Sequence, residues 1–91
     1  TGLVNTFSLD QNYPNPFNPS TKIRFTLPQA GNVNLAVYNL LGEKVADVMN
    51  QEMTSGSFEV TFDGSNLSSG IYFYKLNTNN YTATKKMILM K

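Results

Sequence analysis

Ninety-one residues, 41% of them apolar and 12% aromatic, make one domain with one core, richer in apolar side chains than a disordered chain and too short for a second core. Seven basic against six acidic residues leave a net charge of +1, which excludes the broad positive field needed to neutralise nucleic-acid phosphates. Histidine and cysteine are both absent, so the commonest general base, the thiol nucleophile and most transition-metal ligand sets go with them.

In chain order, residues 1–7 read as the tail of a linker and residues 8–91 as the domain. The start has no basic segment, apolar core and small-residue cleavage site, and no apolar run approaches the ~18 residues of a membrane-spanning helix. If the domain is exported, the export signal is expected elsewhere. A short strand at 7–9 precedes the stretch QNYPNPFNPS, residues 11–20. Its three prolines each fix φ near −65° and press the preceding Tyr13, Asn15 and Asn18 toward extended backbone. A polyproline-like spiral of about three residues per turn would put Asn12, Asn15 and Asn18 on one face and Pro14, Phe17 and Ser20 on another. Phe17 then plugs the end of the core, in a crossover that stays out of strand pairing. The P-x-x-P pattern of proline-reading ligands is also met, without its usual basic flank.

Six strands follow, near 21–27, 33–39, 43–49, 57–62, 70–78 and 81–90. Ile23, Phe25 and Leu27 alternate with Lys22, Arg24 and Thr26, and the same rule runs through Val33, Leu35 and Val37 and through Phe58, Val60 and Phe62. The stretch LLGEKVADVM has a helical alternative, but Gly42 and the β-branched Val45 and Val48 favour a strand with a bulge. Turn residues separate the runs every ~8 to 12 residues, which predicts an all-β, immunoglobulin-like antiparallel β-sandwich of about seven strands. Across Asn79-Asn80 a two-residue hairpin pairs Thr78 with Tyr81, Leu76 with Ala83, Tyr74 with Lys85 and Tyr72 with Met87. Both of its faces are apolar: Tyr72, Tyr74, Leu76, Met87 and Leu89 on one, Ile71, Phe73, Ile88 and Met90 on the other. A sandwich buries only one of them, so the second face, or the free edge of the terminal strand, is left for a loop or a partner.

Chemistry is sparse. The six carboxylates, Asp10, Glu43, Asp47, Glu52, Glu59 and Asp63, show no paired spacing, and the chain reads as a non-enzyme without cofactor or metal. Asp63-Gly64-Ser65-Asn66 lacks the further acids of a calcium loop and reads instead as an Asx turn with Gly64 at positive φ. The glycosylation sequons at Asn66 and Asn80 occur at the frequency of chance.

Four segments, SLDQNYPNPFNPSTKIRFTLP, VYNLLGEKV, NLSSGIYFYKL and the ending TKKMILMK, together resemble the type A C-terminal sorting domain of the type IX secretion system of Gram-negative bacteria, over residues 8–91 and in order. The terminal Lys91 matches the ending of that family; Ser68 stands where alanine is frequent. VYNLLGEKV and SGIYFYKL also resemble the immunoglobulin-like domain of flagellar hook-capping proteins. The first resemblance implies an address label: an upstream cargo reaches the periplasm, the outer-membrane translocon recognises this domain, and a sortase-like surface protease removes it in or before TGLVNTFS, leaving the cargo on the cell surface or secreted. It implies recognition through Pro14, Asn15, Pro16, Phe17 and Asn18 in the loop, through Gly70 and Tyr72, and through Lys86, Met87, Leu89 and Lys91 at the end. An edge strand there can add to a receptor sheet while the lysines set register. The isolated domain is expected to be monomeric.

Two other classes compete: a structural or adhesive immunoglobulin-like module, and a sugar-binding module stacking its ligand on Tyr38, Tyr72 and Tyr74.

Overall fold

A computed structural model describes residues 6–91. Seven strands follow one another without a helix among these residues: β1 (Ser8–Leu9), β2 (Ser20–Leu27), β3 (Gly31–Tyr38), β4 (Lys44–Met53), β5 (Gly56–Asp63), β6 (Gly70–Thr78) and β7 (Thr82–Leu89). They form two antiparallel sheets, β1-β2-β5 and β4-β3-β6-β7, stacked as the predicted sandwich. The expected linker at 1–7 lies outside the described residues apart from Thr6 and Phe7; the Phe7 ring stacks on Tyr81 with centroids 4.9 Å apart.

The alternation in the sequence decides what each sheet buries. Ile23, Phe25 and Leu27 of β2 face Val33, Leu35 and Val37 of β3, Tyr72, Tyr74 and Leu76 of β6, and Met87 and Leu89 of β7, all of them buried. Burying side chains of this size contributes about 1.5 to 3 kcal/mol each, and a one-residue slip of any strand would turn its whole set outward. Arg24 stands directly opposite Glu59 on the solvent face, with Nε 2.7 Å from the carboxylate, an ion pair that holds the Glu59 carboxyl below its ordinary range.

The strand expected at 43–49 exists and is bulged. Leu35 pairs with Met49 but Ala36 with Asp47, and Val37 pairs with Ala46 but Tyr38 with Lys44, so Val48 and Val45 are the two extra residues. Such bulges twist an edge strand away from flat, open pairing. β4 also runs on to Met53, because Asn50, Gln51 and Glu52 pair with Asn34, Val33 and Asn32; partner strand overrides weak local propensity. At the β3–β4 turn the Asn39 side chain accepts the N–H groups of Leu41 and Glu43, leaving Leu40 and Leu41 in solvent.

Candidate functional site

The residues from Ser8 to Phe17 cross from one sheet to the other and close one side of the sandwich. β1 pairs with β2 at Thr26 and Phe25. Asp10 N–H then donates to the Arg24 carbonyl, and Tyr13 exchanges both main-chain bonds with Lys22. From there the chain passes to β7. The Gln11 amide donates to the Lys86 carbonyl at 2.7 Å, Ile88 N–H donates to the Asn15 side chain at 3.0 Å, Phe17 N–H donates to the Ile88 carbonyl and Met90 N–H to the Phe17 carbonyl, both at 2.9 Å. Phe17 thus forms a parallel bridge with Leu89.

Two sequence expectations are corrected here. The proline-rich crossover takes part in pairing at both of its ends, because Tyr13 and Phe17 retain the N–H groups that the prolines lack. Its two faces are also not those of a three-residue spiral: Asn12 and Phe17 are buried while Pro14, Asn15, Asn18 and Ser20 are exposed. The edge of the terminal strand is correspondingly not open throughout. Main-chain groups of Lys86, Ile88 and Met90 are already bonded within the chain, which protects that half of the edge from foreign strands.

Phe17 is the anchor of the strap. Only 2% of it is exposed, and it meets Phe62 edge-on at 6.2 Å, a favoured aromatic geometry. Space for the ring comes from Gly64, where a Cβ would stand 3.2 Å from Leu89 Cδ2 and 3.3 Å from Phe17 Cε2. Close approach, not the expected positive φ, is why this position is glycine, since Gly64 is not among the positive-φ residues. The Asx turn is present: Asp63 accepts the N–H and hydroxyl of Ser65, which hold its carboxyl below the usual range.

Beneath the strap lies a small polar network. The Tyr74 hydroxyl donates to the Asp10 carbonyl at 2.6 Å and accepts Asn12 N–H at 2.8 Å. The Asn12 side chain bonds Thr21 Oγ1, and both donate to the Pro14 carbonyl. No buried side-chain polar atom among the described residues lacks a partner, so the network stabilises the strap without leaving an unsatisfied group. Burial pushes the Tyr74 phenol up to about 12.

At the end of the chain Lys91 N–H donates to Ser69 Oγ at 2.9 Å, and its ammonium donates to the Ser65 carbonyl. Gly70 adopts φ +152°, a conformation side chains disfavour, and pairs with Leu89.

Most of the candidate residues therefore gather at one end of the sandwich. Pro14, Asn15 and Phe17 are tied to β2, β7 or the core; Gly70, Tyr72, Met87 and Leu89 form the adjoining rungs. Pro16 and Asn18 are exposed on the strap. Tyr72, Met87 and Leu89 point inward and are buried, so their side chains support the surface from below. Lys86 and Lys91 are exposed. Gln11, Thr21 and Ser69 carry no signal in the sequence, and Asn12 and Tyr74, expected on a loop face and in a strand, meet partners that their local pattern does not announce. The tyrosine platform is ruled out by geometry: Tyr72 and Tyr74 face the core, whereas Tyr38 lies on the outer face opposite Phe73. The hairpin pairing holds as expected.

Residues 11–90 match the model of a family described as "Secretion system C-terminal sorting domain". No curated protein matches the chain.

Proposed function

From the premise that the chain belongs to the secretion system C-terminal sorting domain family, we propose that it is an export label read in the folded state at the end where strap and terminal strand meet. Family membership supports a sorting signal for the type IX secretion system, which takes an attached cargo to the cell surface or the medium. The finer steps belong to our reading. Cargo preceding residues 8–91 crosses the periplasm, the outer-membrane translocon engages this domain, and a sortase-like protease cuts in or before TGLVNTFS.

The observation that carries the proposal is that the family match spans both the proline-rich strap and the terminal strand as far as Met90, two stretches held together by main-chain bonds. A label must stay recognisable on unrelated cargoes, and a self-contained sandwich with its reading end closed by its own strap meets that need. Pro16 and Asn18 on the strap and Lys86 and Lys91 beside it are the exposed members that a receptor can touch; Phe17, Gly70, Tyr72, Met87 and Leu89 hold them in place.

The test is a periplasm-directed reporter fused ahead of residues 1–91, expressed in a host with an intact type IX system and in the same host lacking the translocon. Reporter at the surface or in the medium of the first host alone is the expected result, with mass spectrometry placing the new end in or before TGLVNTFS. Retention in both hosts would leave the structural-module reading in its place.

A further inference from the structure

The four-stranded sheet carries apolar side chains on its outer face as well as on its inner one. Across the outer face run Tyr38, Phe73 and Lys86 on one rung and Ile71 and Ile88 on another. Ile71, Phe73, Ile88 and Tyr38 remain half-buried although they point away from the core, and Leu40, 65% exposed, extends the tract at the β3–β4 turn. A shallow depression between Tyr38, Leu40, Phe73, Lys75 and Thr84 lies beside them. Contiguous apolar surface of this kind is ordinarily avoided on an isolated domain.

Beside the strap, the terminal strand has little else to offer a partner from its core face or its main chain. Met87 and Leu89 are buried, and main-chain groups at Lys86, Ile88 and Met90 are engaged by the strap. What KKMILMK can present from the folded domain is side chains, and Lys86 and Ile88 present theirs on this outer face. The face is also asymmetric in charge. Lys44 is paired with Asp47, whereas neither Lys75 nor Lys86 takes part in an ion pair among the described residues.

We propose that the outer face of the β4-β3-β6-β7 sheet, an apolar tract of Ile71, Phe73 and Ile88 rimmed by Lys75 and Lys86, is the docking surface for a protein component of the secretion machinery that presents apolar side chains flanked by carboxylates. Unpaired lysines beside a desolvated strip select an acidic rim, which steers encounter and fixes register, while the apolar tract supplies affinity. The inference rests on the sorting-signal reading and specifies which surface is read.

The experiment compares reporter fusions of the full chain in a type IX host. Phe73→Thr with Ile88→Thr, and separately Lys75→Glu with Lys86→Glu, are expected to lower surface reporter by about tenfold, the loss of about 1.4 kcal/mol of binding. Lys22→Glu, the same charge reversal on the opposite sheet, and Lys75→Arg with Lys86→Arg are expected to export like the parent. Melting curves accompany each variant, and the lysine pair, exposed and partly exposed, serves as the variant that folds if the apolar pair does not. An exported parent with equally exported lysine reversals overturns the assignment of this face and spares the sorting signal; a retained parent overturns both. Sedimentation of the parent with phosphatidylglycerol vesicles that is lost on lysine reversal would hand the face to lipid, and a dimer dissolved by Phe73→Thr with Ile88→Thr would hand it to a second copy; either overturns the proposal.

Discussion

Phe17 and Leu89 lie side by side in a parallel bridge, the Phe17 N–H and carbonyl bonded to Ile88 and Met90 at 2.9 Å, so the loop near the start of the domain and the strand at its end form one unit. Phe17→Ala removes a ring that is 2% exposed and is expected to cost about 3 to 5 kcal/mol in urea unfolding. A loss below about 1 kcal/mol would mean that the strap is held without its anchor.

Gly64→Ala places a Cβ within 3.2 to 3.3 Å of Leu89 and Phe17, and is expected to destabilise by about 1 to 3 kcal/mol through overpacking. In a Phe17→Ala background the cost should shrink, since the crowded ring is gone. Equal costs in both backgrounds would show that the ring is not what restricts the position.

Tyr74→Phe leaves the buried Asn12 N–H and the Asp10 carbonyl without their shared partner, at an expected cost of about 1 to 3 kcal/mol. The same hydroxyl gives a pH signature. Its folded value is pushed up to about 12 from an ordinary 10, so its contribution is complete below pH 10 and is lost as pH rises through 12. Over that window the stability of the parent should fall by about 2 to 3 kcal/mol more than that of Tyr74→Phe. Parallel pH curves would contradict the burial of this group.

Hydrogen exchange tests the closed edge. The Ile88 and Met90 amides, bonded to Asn15 and Phe17, should exchange slowly for an edge strand, whereas Thr84, on the same side of β7 but beyond the strap, should exchange fast. Asn15→Ala should free Ile88 while leaving Met90 protected. Equally fast exchange at Thr84, Ile88 and Met90 would mean an open edge.

Strands were legible wherever one face is buried, because period-two alternation records burial directly: Ile23, Phe25 and Leu27 could occupy no other face. The Asn50-Gln51-Glu52 part of β4 was not, since its pairing with β3 runs against local preference. Phe17 stood out as the one phenylalanine among the prolines, and its burial followed. Its main-chain partners did not, because Asn15 and Ile88 are 73 residues apart and carry no local pattern that joins them. Gly64 was legible as a turn residue for the wrong reason: turn chemistry is local, whereas the ring it accommodates arrives from another segment. The network of Tyr74, Asn12 and Thr21 was likewise hidden, since strand alternation reports which way Tyr74 points and not what its hydroxyl meets.

Reading of the folded domain at its terminal strand is tested most directly by Lys86→Ala with Lys91→Ala in the reporter fusion. Deleting residues 86–91 would remove Met87 and Leu89 from the core and confuse unfolding with lost recognition. The two exposed lysines contribute little to folding. The measurement is the fraction of reporter outside the cell, at melting temperatures matched within a few degrees of the parent. A marked fall in that fraction with an unchanged melting curve is the predicted result; export equal to the parent, from a variant equally folded, would contradict recognition at this strand.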